Sequence, residues 1–186
     1  MKKNIILSAV ASALLFTGAA HAGNTIQFLG EITDSTCDVA LEGDGSNSTV
    51  TLPTVSKTAL PTLDSTAGRT MFALLASNCT LANGKTKVAA FFYANDAKAN
   101  SVDTASGYLN NIAADPKAQN VKLRLIDGTG GGVIKVGYDQ SSTLGVDVDG
   151  SGNARMPYAV EYIATDAAGA TAGAVEGSVV YDLMYP

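Results

Sequence analysis

Apolar residues recur in this chain at every second position far more often than at helical spacing. Because successive side chains of a β-strand point to opposite faces, such alternation marks the buried face of a short strand. The pattern predicts strands around the following groups: Val50 and Leu52; Phe72, Leu74 and Ala76; Val88, Ala90 and Phe92; Val121, Leu123 and Leu125; 133–138; Met156, Tyr158, Val160 and Tyr162; and Val175, Gly177, Val179, Tyr181, Leu183 and Tyr185.

Clusters of Gly, Asp, Asn and Ser separate these groups and predict turns. A helical turn is compatible with residues 57–67 and with residues 110–119, but no long helix is indicated. Many short strands divided by such turns are typical of an antiparallel β-sandwich. The turn clusters lie at 42–48, 82–85, 127–132, 147–153 and 166–173.

Two segments of this pattern suggest pairing with another strand. In the leading segment, 23–33, the residues Ile26, Phe28, Gly30 and Ile32 share one face of an extended backbone. At the other end, the last predicted strand alternates up to Tyr185, and we expect either another part of this chain or another chain to cover its outer side.

The first 22 residues have the features of a signal peptide. Lys2 and Lys3 precede an apolar run, and the small residues Ala20 and Ala22 mark a cleavage site. The apolar run is too short for a membrane-spanning helix. We therefore expect an exported chain that begins near Gly23, whose remaining length of about 164 residues suits a single domain.

Charge and composition narrow the classes of function. The chain has 12 basic and 17 acidic residues, and two of the basic ones leave with the signal peptide, so the mature net charge is about −7. That balance argues against nucleic acid or an anionic membrane as the partner. The single histidine, His21, also leaves with the signal peptide, which removes the usual general base and zinc ligand. We predict no catalytic residues, no metal and no cofactor.

Cys37 and Cys79 are the two cysteines of the chain. Because an exported protein leaves the reducing cytosol, a disulfide between them is the first interpretation, and two free thiols are the alternative. In the chain-entropy estimate, closing the loop between Cys37 and Cys79 raises the free energy of unfolding by roughly 4 kcal/mol.

In its order of motifs, the mature chain resembles the major subunits of type 1 and related chaperone-usher pili of Gram-negative bacteria. The resemblance covers nearly the whole mature chain. Its motifs are the Gly-x-x-Ile-x-Phe-x-Gly-x-Ile run ahead of Cys37; Cys79 closing the strand 71–77; 120–127 followed by a Gly-rich turn; 156–165; Gly173, about fourteen places from the end; and the final strand with Tyr185 second from last.

This resemblance implies an all-β fold: an incomplete immunoglobulin-like β-sandwich that lacks its last strand and therefore has a long apolar groove. In this family a periplasmic chaperone lends a strand to the groove, and at the outer-membrane usher the N-terminal extension of the next subunit replaces it. The implied division is a signal peptide at 1–22, a donor-strand extension at 23–36 and a pilin domain at 37–186.

The same resemblance assigns roles to individual residues. Ile26, Phe28 and Ile32 would fill pockets of a neighbour's groove, while Gly30 would lie where the groove is too shallow for a side chain. The acceptor groove, which is also the chaperone-binding site, would be formed by Gly173, Val175, Val179, Tyr181, Leu183 and Tyr185.

The function that follows is a non-enzymatic structural subunit of a surface fimbria. Identical or related subunits would polymerise head to tail after export through the periplasm, and the fibre would support cell adhesion. The main alternative is a one-domain fimbrial adhesin or a minor adaptor or tip subunit. A secreted β-sandwich enzyme is a third possibility, which the lack of an acid-base constellation disfavours.

Overall fold

The computed structural model describes residues 26–43, 49–94, 100–138, 140 and 145–186. They belong to two units, the first ending at Ile32 and the second comprising Thr33–Pro186. The predicted signal peptide and residues 23–25 of the leading segment lie outside the described residues.

Within the described ranges, the second unit consists of ten strands and one 3-10 turn, without an α-helix. The 3-10 turn is Lys57–Ala59, and the Ser56 hydroxyl at its start accepts a hydrogen bond from the Thr58 N–H. The prediction of an all-β chain is confirmed. The strands are β1 (Thr36–Leu41), β2 (Thr66–Thr80), β3 (Lys87–Tyr93), β4 (Val102–Asp103), β5 (Tyr108–Asn110), β6 (Val121–Asp127), β7 (Val133–Ile134), β8 (Val146–Asp147), β9 (Ala154–Ala164) and β10 (Val180–Met184).

The larger of two sheets has the strand order β1-β2-β9-β6-β5-β4, and β7 pairs with β6 as well. Its middle strand, β9, turns Met156, Tyr158 and Val160 into the core. The apolar residues that recur at every second position of the sequence thus form the inner face of this sheet. No helix in the described part of the chain is long and apolar enough to cross a membrane.

The smaller sheet has the order β10-β3-β8. Its middle strand is buried almost throughout, since Val88, Ala89, Ala90 and Phe92 are each at most 2% exposed. The ring of Phe92 meets the ring of Tyr158 edge-on with centroids 5.3 Å apart, so the two sheets pack face to face as a sandwich.

On one flank of β3, part of the backbone forms hydrogen bonds with side chains and not with a neighbouring strand. The Tyr158 hydroxyl accepts a hydrogen bond from the Ala90 N–H at 2.8 Å. The Gln140 amide accepts from the Phe92 N–H at 3.0 Å and donates to the Phe92 carbonyl at 2.8 Å. The backbone groups of Ala90 and Phe92 therefore point away from β10, which lies on the other flank.

Three sequence-based expectations differ from the structure. The predicted strand 175–185 forms a ladder only over Val180–Met184, because the preceding residues bond to the loop before β6: the Ile112 N–H donates to Glu176 and the Ala118 N–H to Ala174. Val50 and Leu52 belong to no named strand. Only Val133–Ile134 of 133–138 is a strand, since a turn follows.

The helical turn considered for 110–119 was wrong. Here the side chain of Asn111 takes the place of helical backbone bonds. Its amide nitrogen donates to the carbonyls of Ala118 and Ala174, and its oxygen accepts from the N–H groups of Ala113 and Glu176. The helical turn considered for 57–67 is present as Lys57–Ala59.

Candidate functional site

An apolar cleft of about 210 Å³ lies between the two sheets of the sandwich. Both sheets contribute to its walls, together with the segment that holds Val50 and Leu52. Because most of its lining is hydrocarbon, an apolar insert would be more stable there than water. The lining residues are Leu41, Val50, Leu52, Phe72, Leu74, Phe92, Leu109, Leu123, Leu125, Val160, Gly177, Ser178, Val179 and Tyr181.

The structure distributes the predicted groove residues over three places. Val179 and Tyr181 line the cleft. Gly173 and Val175 line a neighbouring cavity of about 440 Å³, together with Leu60, Val121 and Tyr162. Leu183 and Tyr185 pack against the main core but contribute to neither lining.

Gly173 occupies a position where a side chain has no room. Its φ is +153°, and a Cβ atom there would collide with the backbone of Lys117 and Ala118. The close approach accompanies a bridge between Lys117 and Ala174. This contact fixes the chain just ahead of the cleft, so the glycine has a structural reason in this subunit.

β10 ends the smaller sheet in the part of the chain that the structure describes. Leu183 lies opposite Ala90 and Tyr181 lies opposite Phe92. Because the backbone groups of Ala90 and Phe92 point away from β10, these are the non-hydrogen-bonded pairs of the ladder. The backbone groups of Tyr181 and Leu183 therefore face the outer edge, where a further strand could bond to them.

An acidic side chain already occupies part of this edge. The Asp182 carboxylate accepts a hydrogen bond from the Leu183 N–H at 2.8 Å. A strand that pairs with β10 must take over this N–H. Since a carboxylate in water is well solvated, the exchange replaces one hydrogen bond by another at small net cost.

The tyrosines of the last strand are held as neutral hydroxyl groups. Burial raises the pKa of Tyr181. For Tyr185, burial and the charge of Asp182 raise the pKa, while a hydrogen bond from the Cys37 N–H acts in the opposite direction. The disulfide between Cys37 and Cys79 joins β1 to the end of β2, which confirms the predicted pairing.

The described part of the leading segment exposes its apolar side chains. Ile26, Phe28 and Ile32 are 77%, 88% and 98% exposed. Apolar side chains so close together on a surface mark an interaction site in a soluble protein. Leu29, on the other face of the segment, is also 87% exposed, although the alternating pattern gave it no role.

Sequence reasoning missed most of the cleft wall. Leu123 and Leu125 were predicted only as the buried face of a strand, Leu41 and Leu109 were not singled out, and only the fold shows that these four side chains border a cleft. A residue that lines a cleft leaves no signal of its own in the sequence. A leucine facing the core and a leucine facing the cleft occupy the same positions of the period-two pattern. In the described ranges, no group of His, Cys, Asp or Glu is arranged to hold a metal ion.

Comparison with known proteins gives a consistent result. The family model of the type-1 fimbrial protein, A, matches residues 52–186. The major fimbrial subunit SMF-1 of Stenotrophomonas maltophilia (strain K279a) is 38% identical over 169 residues, which cover 88% of this chain and 93% of the relative. The minor fimbrial subunit HifD of Haemophilus influenzae is 34% identical over 168 residues, with coverages of 86% and 73%.

Solved structures support the fold. A chaperone-usher pilus structure superposes with a TM-score of 0.58 at 16% identity and covers 89% of this chain and 97% of its own. A type I fimbria protein of Burkholderia pseudomallei gives a TM-score of 0.55 at 23% identity, with coverages of 81% and 99%. The predicted fold, that of a pilus subunit, is confirmed by this likeness.

Proposed function

The chain belongs to the type-1 fimbrial protein family, and from this premise we propose that it polymerises by donating its leading segment, 23–33, to the cleft of a second copy. It is a structural subunit of a bacterial surface fimbria and not an enzyme. Like other fimbrial subunits, it is exported and forms part of a pilus on the cell surface.

The observation that carries this proposal is a match between two parts of the same chain. One part is a segment with alternating apolar side chains, Ile26, Phe28 and Ile32, that are almost fully exposed. The other is an apolar cleft beside the outer edge of β10. An added strand gains main-chain hydrogen bonds from such an edge and side-chain contacts from such a cleft.

The polymer would be linear, because the two complementary surfaces differ. The donor lies at the start of the chain and the acceptor beside its last strand, so each contact joins unlike patches of two copies. Contacts of this kind do not form a two-fold dimer, and they continue as an open filament when the rotation between successive copies does not close a ring. Leaving the cleft would expose apolar surface again, which makes the filament kinetically persistent.

We further propose that the same edge and cleft receive a strand of a periplasmic chaperone before assembly, and that an outer-membrane usher mediates the replacement. An empty cleft is a hazard for a newly exported subunit, since unpaired strand edges promote aggregation. A temporary strand from a chaperone would remove that hazard.

The donor role is tested by the variant Phe28→Asp in the full-length chain. A carboxylate at position 28 would have to enter the apolar cleft, so we expect almost no fibres in electron micrographs of the cell surface. Unboiled surface extracts should lack the multimer ladder that the unaltered chain gives on a denaturing gel.

The matched control is Thr25→Asp, which adds the same charge to the opposite face of the segment. It should assemble nearly as well as the unaltered chain. Fibres of normal length from Phe28→Asp would contradict the proposal, as would equal losses from both variants.

A further inference from the structure

We propose that the outward-facing side chains of the leading segment, Gln27 and Leu29, set the register in which it pairs with β10. Their partners would be Asp182 and Val180 on the outer face of that strand. This inference rests on the proposed function and adds to it which residues lie opposite each other.

The geometry of β10 would bring its outward-facing side chains into close contact with those of an added strand. Since the backbone groups of Tyr181 and Leu183 face the outer edge, an antiparallel partner would form its hydrogen-bonded pairs with those two residues. Val180 and Asp182 would then stand in non-hydrogen-bonded pairs, where Cα atoms are about 4.5 Å apart and side chains are closest. Val180 is 37% exposed and Asp182 is exposed, so both can contact a new neighbour.

An antiparallel direction follows the rest of the fold, since all ladders between the named strands are antiparallel. The face of the segment is fixed as well, because a shift by one residue would turn its apolar side chains out of the cleft. Only registers that differ by steps of two residues remain to be distinguished.

One register matches both faces. With Leu29 opposite Val180, two exposed apolar side chains cover each other, and Gln27 lies opposite Asp182. On the inner face, Phe28 then lies opposite Tyr181. The remaining inner positions, Ile26, Gly30 and Ile32, lie opposite Leu183, Val179 and Gly177.

The two neighbouring registers create mismatches. A shift of two residues in one direction places Leu29 opposite Asp182 and leaves Glu31 opposite Val180. A shift in the other direction places Glu31 opposite Glu176, and like charges that face each other across two strands are destabilising. The outer face thus discriminates between registers that the apolar cleft by itself would accept.

Asp182 would change its partner during pairing. In the subunit its carboxylate accepts from the Leu183 N–H. When the incoming backbone takes over that N–H, the carboxylate becomes available to the amide nitrogen of Gln27 directly opposite. The acidic edge residue then contributes to the contact, although it had capped the edge before.

Inter-subunit disulfides report the register directly. The full-length chain is expressed in its native host with Leu29→Cys combined with Val180→Cys, Asp182→Cys or Ser178→Cys, and the single-cysteine variants serve as controls. We expect boiled, unreduced surface extracts to show a multimer ladder for the pair Leu29→Cys and Val180→Cys, which reductant abolishes. A ladder that is strongest with position 182 or 178, equal at all three positions, or absent from all three while fibres form would overturn the register.

The experiment distinguishes a failure of the register from a failure of strand donation itself. If the unaltered chain forms no heat-sensitive multimers, strand donation itself fails, and the register fails with it. If multimers form but the cross-link maps elsewhere, only the register is wrong.

Adding a carboxylate at position 27 and then removing the one at position 182 provides a second measurement that needs no added cysteine. Gln27→Glu should lower the yield of multimers about two- to fivefold, because it sets a second carboxylate against Asp182. Adding Asp182→Asn should restore the yield. Thr25→Glu, which would lie opposite Met184, is the matched control and should have little effect. A loss that Asp182→Asn does not reverse would contradict the pairing.

Discussion

At the scale of single residues, the least expected feature is a buried carboxylate on the outer face of the larger sheet. Glu161 is 2% exposed and lies between two guanidinium groups, with Arg69 Nε at 2.8 Å and Arg124 Nε at 2.5 Å from its oxygens. It faces away from the core that its neighbour Val160 enters. The sequence does not show that two arginines from other strands enclose this glutamate.

Glu161→Gln should destabilise the subunit, because it leaves two partly covered guanidinium groups without their anion. We expect a loss of about 2 kcal/mol in the free energy of unfolding, measured by denaturant titration. The comparison variant is Glu42→Gln, which removes an exposed pair with Arg155 and should change stability little. Equal losses from the two variants would contradict the importance of burial.

The same residue predicts a dependence on pH. Burial alone raises the pKa of Glu161, but hydrogen bonds from Arg69 and Arg124 outweigh it and hold the pKa below the ordinary value of 4.5. A carboxyl whose pKa is lower in the folded state stabilises fully above its unfolded value and loses that contribution as the pH falls below about 4.5. Stability of Glu161→Gln should therefore fall less steeply with acid than that of the unaltered chain.

At the scale of elements, periodicity predicted the long strands well and the cleft region less well. The groups on β2, β3, β6 and β9 were placed on the correct faces because burial on one side imposes the alternation. The segment 175–179 and residues 50–52 alternate in the same way, yet neither is in a ladder with a strand of the second unit. Their pattern reflects the cleft they line, which is a tertiary property.

The short strands β4, β5 and β8 escaped prediction for a different reason, whereas β7 lies within the predicted 133–138. Those three have two or three residues each, which is too few to display a period. The loop around Asn111 was also unpredictable, since its conformation depends on bonds to residues more than sixty positions away.

Gly173→Ala tests the element that precedes the cleft. Because a Cβ would collide with the backbone of Lys117 and Ala118, we expect a loss of about 2 kcal/mol or more in the free energy of unfolding. Gly132→Ala is the control, since an added Cβ there meets nothing within 4 Å. A Gly173→Ala subunit as stable as the control would show that the loop moves aside at little cost.

At the scale of the whole molecule, the sandwich leaves one strand position open, and the leading segment, 23–33, has the alternating apolar pattern of a strand. The sandwich class, the disulfide and the alternating apolar pattern of the leading segment could be predicted from the sequence, because alternation, export and cysteine number are local properties. The division of the predicted groove residues between the cleft, the neighbouring cavity and the core could not, because it depends on how both sheets converge.

A rearranged chain would test this view. We expect a stable monomer when residues 23–33 are deleted from the start and a copy of them follows Pro186 after a short turn. Burying three apolar side chains should raise the free energy of unfolding by about 2–5 kcal/mol over the deletion alone, after the cost of ordering the segment. The readouts are denaturant unfolding and sedimentation. The same chain with Phe28→Asp in the appended copy should gain nothing, and equal stability of the two would refute the expectation.

The hydroxyl of Tyr158 and the amide of Gln140 have a consequence for the shape of the fibre. They satisfy backbone groups of Ala90 and Phe92 on the flank of β3 that faces away from β10. An incoming strand therefore finds no vacant main-chain groups on that flank of those two residues, so this part of the smaller sheet can be extended from its β10 side. Under the proposed strand donation, each copy would then accept one leading segment beside β10, and the thread would lengthen without forks.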